Sequence, residues 1–89
     1  MVQVTEVHMS SGGSAHEHIV SVKWVNPTTS ERGETTKGSM VTFIRGGGQA
    51  TVSDGIRTIN VEVRDAQPPY IQTRADGIWS DNLLSLPRF

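Results

Sequence analysis

Asp76 and Asp81, with Asn82 beside the second, are the residues of this 89-residue chain whose types and spacing come nearest to a reactive group. A carboxylate pair could hold a hard divalent cation or divide acid and base roles. An oxygen-ligand loop, however, needs more carboxylates and carbonyls than this stretch supplies. The same short side chains bond neighbouring backbone amides in Asx-type turns, and Ser80 or Asp81 can cap a helical turn carrying Leu83, Leu84 and Leu86. The turn assignment is favoured. His16 and His18 would share one face of a strand, a two-ligand metal geometry, with His8 as a third donor if the first two strands pair. A closed zinc site needs four donors. A partly buried, hydrogen-bonded His18 is the plainer expectation, and no metal or other cofactor is expected.

Arg45 is followed by Gly46, Gly47 and Gly48, which invites a phosphate-loop reading. Its polarity is wrong, because anion sites use glycines that precede a helix, where free amides point outward. Here the glycines follow a predicted helix and read as its stop. Trp24, Phe43, Tyr70, Trp79 and Phe89 could stack on bases, but 8 basic against 9 acidic residues give no electrostatic funnel, so nucleic acid is an unfavoured partner. No serine stands in a nucleophile elbow, and all three histidines fall within the first eighteen residues. The expectation is a protein that is not an enzyme.

The elements that must position these groups follow from patterning. Val2 to Met9 is predicted as a strand in which Val2 and Val4 share one face and Val7 and Met9 the other, so a bulge or change of face is expected near Thr5 or Glu6. After the connector Ser10–Ser14, residues 16–25 form a second strand, with His18, Val20, Val22 and Trp24 facing inward and Asn26-Pro27 closing it. Residues 28–38 are polar throughout and read as a surface loop. Met40, Phe43 and Ile44 make a helical stripe over 39–45, capped by Ser39 or Thr36, although Val41, Thr42 and Ile44 lean toward strand.

Gln49 to Ser53 is a short strand, and Asp54-Gly55 is the strongest hairpin signal. Ile59, Val61 and Val63 then alternate with Thr58, Asn60, Glu62 and Arg64, the pattern of a half-solvated antiparallel strand. Pro68-Pro69 ends it, and Tyr70 to Arg74 is a last strand. The predicted fold is α+β, order β-β-α-β-β-β, with one small antiparallel sheet of about five strands and one short helix, in a single domain over 1–89. An apolar fraction of 35% in so short a chain leaves a small core. The absence of cysteine suits a reducing cytoplasm, the first ten residues lack the pattern of a signal peptide, and no apolar run reaches the ~18 residues of a membrane helix.

The tail carries a resemblance. Tyr70-Ile71-x-Thr73-x-x-Asp76-Gly77, then Asp81-Asn82-Leu83-Leu84-x-Leu86-Pro87, resembles the C-terminal signature YLxTxxDxxxxDNLLxLP of a family of small bacterial and phage-associated proteins, a domain of unknown function. The His18-Ile19 pair and the passage from Ile44 to Gly48 also resemble it, while the long polar 28–38 loop departs from it. The resemblance implies no activity and carries over no catalytic residue. It marks Thr73, Asp76, Asp81, Asn82 and Pro87 as a shared turn architecture or a shared site.

Every leucine of the chain lies in the tail, with Trp79 and Phe89. That is more apolar surface than such a segment readily hides, so the tail is expected to act as an edge for self-association, as a homodimer, or for protein binding. The candidate binding residues are Thr73, Asp76, Trp79, Asp81, Asn82 and Phe89, with Arg45 and Arg74. The alternative is a small-ligand or nucleotide binder in which Arg45, Arg57 and Arg74 surround a shallow pocket.

Overall fold

The structure is a computed structural model that describes residues 1–53, 55–75 and 77–89. Seven strands form one mixed sheet in the order β3-β2-β1-β4-β5-β6-β7. They are β1 (Val2–Met9), β2 (Ile19–Val25), β3 (Arg32–Thr36), β4 (Ala50–Ser53), β5 (Thr58–Arg64), β6 (Tyr70–Ala75) and β7 (Ile78–Ser80). The helix α1 (Lys37–Arg45) joins β3 to β4, and His16–His18 forms a single 3-10 turn before β2. The molecule is therefore mostly β. This corrects the expected α+β fold with a five-stranded antiparallel sheet and the order β-β-α-β-β-β.

Three features account for the difference. β3 lies in the stretch read as a polar loop and shows no apolar alternation of its own. Its inner positions are Gly33 and Thr35, over which the Trp24 indole lies, with Nε1 donating to Thr35 Oγ1 at 3.0 Å. A Cβ on Gly33 would stand 2.5 Å from Trp24 Cζ2, so the missing side chain makes room for the ring. β7 has three residues, too few to show a period. β1 and β4 pair in parallel at Val2–Ala50 and Gln3–Thr51, because the chain crosses back through α1 instead of by a hairpin.

The bulge expected near Thr5 is present: the β1–β2 register shifts between Val4 and Glu6. It brings Val4 and Val7, 1% and 0% exposed, into the same core. A second shift, between His8 and Met9, alters the start of β2. Ile19 and Ser21 are buried while His18 and Val20 are exposed, which corrects the inward set expected there; Val22 and Trp24 do face the core. The β4–β5 hairpin forms as expected, with Gly55 at φ 92°, while Asp54 lies outside the described residues. On β5, Ile59 and Val61 are buried and Val63 packs against the core, as the alternation requires.

The helix starts two residues before the expected 39. Thr36 caps it, its Oγ1 accepting from Ser39 N at 3.2 Å. Of the expected stripe, Met40 is buried and Ile44 packs against the core, while Phe43 is 40% exposed and Val41 takes its place inside. At the other end Gly47 N donates to Ile44 O and Gly48 N to Phe43 O, the two bonds of a Schellman stop, with Gly47 at φ 99°.

Candidate functional site

The C-terminal segment is where the expected residues gather, and β6 and β7 divide them between two faces. On the inner face Thr73 is wholly buried. Its Oγ1 donates to Ser80 O at 3.1 Å, lies 2.8 Å from Ser80 Oγ, and accepts from Asn82 N at 3.2 Å. Thr73 and Asn82 therefore meet as a turn architecture that hands the chain from β7 into the tail. Asp81 is exposed, and its carbonyl accepts from Ser85 Oγ at 3.3 Å. Asp76 lies outside the described residues.

Beyond that turn the tail completes the core. Leu83 is 0% exposed, and Leu84 and Leu86 pack against the buried cluster. β1 meets β4 only over Val2 and Gln3. Further along β1 the tail takes part instead: Val7 N donates to Pro87 O at 3.0 Å, and Phe89 N to Val7 O at 3.1 Å. Phe89 is thereby tucked onto the sheet, its ring 5.5 Å from that of His8 and Lys23 Nζ 4.7 Å above it. The His8 imidazole Nδ1 also meets Phe89 O. The apolar surplus that made the tail look like an open contact is thus largely absorbed within the fold.

The outer face is different. By strand parity and register, Asn60, Glu62 and Arg64 of β5, Tyr70, Gln72 and Arg74 of β6 and Trp79 of β7 project to the side opposite Val61 and Ile71. Trp79 is half-buried, with the Arg64 guanidinium 4.4 Å and the Arg74 guanidinium 5.0 Å from its ring centre. Arg64 also stands 6.0 Å from the Tyr70 ring. Gln72 is buried despite its outward parity, accepting from Arg64 Nη1 at 2.9 Å and donating to Ser80 O at 3.2 Å. Arg74 reaches Glu62 at 3.9 Å, both side chains more than 40% exposed. Ile78, on the strand that forms the sheet edge, is 70% exposed.

The expected arginines do not converge. Arg57 and Arg74 share a cleft of about 220 Å³ with Thr58 and Asn60. Arg45 lies elsewhere, paired with Asp65 at 3.1 Å beside Gln67 and Pro69. The histidines do not share a strand face either, because 16–18 is a turn. His16 is buried, and His18 is exposed with Nδ1 accepting from Ser14 N and Ala15 N, both at 3.2 Å. Burial lowers the pKa of His16 below its ordinary value; Asp81 and Glu17 oppose the shift and Arg64 adds to it. Among the described residues its Nε2 has no hydrogen-bond partner. Among the described residues no three His, Asp or Glu side chains gather as a metal site.

Arg64, Tyr70 and Gln72 were not among the expected site residues. The outward parity of Arg64 was readable in β5, but its meeting with Trp79 depends on the β5–β6 register, which the segment through Pro68-Pro69 conceals.

The class so defined is a small mixed-sheet domain with one helix, whose C-terminal hairpin is structural inside and aromatic-cationic outside. The chain matches the family described as "Protein of unknown function (DUF3892)" over residues 3–87, and it belongs to that family. No curated protein and no solved structure matches it. Among the described residues no helix is long and apolar enough to cross a membrane.

Proposed function

We propose that this domain is a non-enzymatic, cytoplasmic binding module that takes a protein partner on the outer face of its C-terminal segment. The partner presents acidic side chains around an apolar anchor. Thr73, Asn82 and the leucines, which lie within the signature that the tail resembles, hold the hairpin, while Trp79 and its arginines, which lie outside that signature's fixed positions, are what the hairpin displays. The observation that carries this reading is the half-buried Trp79, with the guanidiniums of Arg64 and Arg74 at 4.4 and 5.0 Å from its ring centre, on the outward side of β5 to β7. Tryptophan, tyrosine and arginine are the residue types that carry most binding energy at protein interfaces. Arginines fixed over a ring are already ordered when a carboxylate arrives, so less entropy is lost on contact.

Selection of a displayed random-peptide library on the immobilised protein tests this. Enrichment of acidic peptides with an apolar anchor is expected, with capture falling at least about tenfold on Trp79→Ala and on Arg74→Ala. Failure to enrich any such peptide, or capture indifferent to Trp79→Ala, contradicts it. A second reading, a small anionic or nucleotide ligand, has the Arg57–Arg74 cleft in its favour, but that cleft lies below the ~300 Å³ at which ligand pockets usually begin. A nucleotide that binds only the folded form must raise the melting temperature, so a flat thermal-shift panel removes this second reading.

A further inference from the structure

The opposite edge of the sheet holds a second surface, independent of the C-terminal face. β3 is an edge strand, and among the described residues neither Arg32 nor Glu34 forms an ion pair, though both are exposed. Asn26 N donates to Glu31 O at 2.7 Å, and the β2–β3 register continues from that pair. Bonded and unbonded pairs alternate in an antiparallel ladder, so Trp24–Gly33 and Val22–Thr35 are the next bonded pairs. Arg32 and Glu34 therefore turn their amides and carbonyls to the open edge.

We infer that this edge pairs with the β3 edge of a second copy of the chain, antiparallel about a two-fold axis at Gly33. The charges select that register. The charged outward-facing residues can oppose one another when the axis falls at Arg32, Gly33 or Glu34. An axis at Arg32 sets arginine against arginine, and one at Glu34 sets glutamate against glutamate. Only the axis at Gly33 sets Arg32 of each copy opposite Glu34 of the other, which is the self-complementarity a two-fold contact requires. Charged side chains on an edge discourage pairing with arbitrary strands, and here they favour the one register in which both charges of β3 meet their opposites.

A five-residue strand is a small contact by itself, because stable interfaces cover roughly 800 Å² on each partner. The remaining surface is beside the seam. A mainly apolar groove of about 320 Å³, lined by Val2, Trp24, Thr35, Ser39, Met40 and Phe43, opens between the β3 side of the sheet and α1, and Phe43 in its wall is 40% exposed. The two-fold pairing joins the two sheets into one and carries both grooves to its centre.

Sedimentation velocity from about 10 μM to about 1 mM at low salt tests the inference, since rim charges act most strongly there. The wild-type chain is expected to be a dimer. Arg32→Glu and Glu34→Arg should each raise the dimer dissociation constant at least about tenfold, because each places two like pairs across the axis. The chain carrying both R32E and E34R should dimerise again. Glu34→Pro removes an amide that makes no bond within the protomer, so it should give a monomer with unchanged circular dichroism. A wild type that stays monomeric throughout overturns the inference. So does a Glu34→Pro chain that still dimerises, or a double reversal that stays monomeric while folded.

Discussion

Thr73 Oγ1 stands between Ser80 and the amide of Asn82, wholly out of water. Replacing the hydroxyl with a methyl group, Thr73→Val, keeps the volume and leaves the Asn82 amide without its acceptor. The expected loss is about 1–3 kcal/mol in urea unfolding, the cost of an unmet buried polar group. A loss under about 0.5 kcal/mol would show that water or another acceptor replaces the threonine. His16 gives a prediction with a sign. Its folded pKa is depressed by burial, so below about pH 6.5 the unfolded chain binds a proton that the folded chain refuses. Its contribution to stability is complete above that pH and is lost as pH falls toward the folded pKa. Unfolding free energies from urea titrations between pH 7.5 and 5.5 should therefore fall more steeply for the wild type than for His16→Gln, the two slopes differing by about 1.4 kcal/mol per pH unit at most. Parallel curves would contradict the assignment.

At the scale of elements, the helix stop rests on two glycines for different reasons. Gly47 adopts φ 99°, and a Cβ on Gly48 would stand 2.5 Å from the Phe43 ring. Gly47→Ala should cost about 1 kcal/mol through backbone strain. Gly48→Ala must move Phe43, and its signature is a change in Phe43 ring packing seen by NMR. These stops were legible beforehand, as were Thr36 as one of two cap candidates, a bulge near Thr5 or Glu6 and the inward set of β5, because each is written in local residue types. β3 and β7 were not legible. A strand whose inner positions are Gly33 and Thr35 is specified by the Trp24 ring that covers it, and no window of its own sequence contains that ring. The parallel β1–β4 pair was likewise hidden, since two contacts at the start of β1 leave no periodic trace. Thr73, Trp79, Asn82 and Arg74 stood in the expected binding set beside Arg45 and Phe89, which lie elsewhere in the fold, and the division of the four between two faces needed the register.

For the molecule as a whole, the tail is part of the core and not an appendage to it. Leu83→Ala should destabilise the fold by about 2–5 kcal/mol, a large share of what a domain of this size has to lose, and would be read as a fall in urea midpoint with an unchanged slope. A surface leucine would cost far less. The interior use of the tail is also why recognition is assigned to the outward side of the same hairpin and not to its leucines. The measurement that meets this claim most directly is calorimetric titration of an enriched acidic peptide into wild-type and Trp79→Ala proteins, both held folded below their melting temperatures. At least about a tenfold weaker affinity for Trp79→Ala is predicted. Equal affinity for the two proteins would contradict the account.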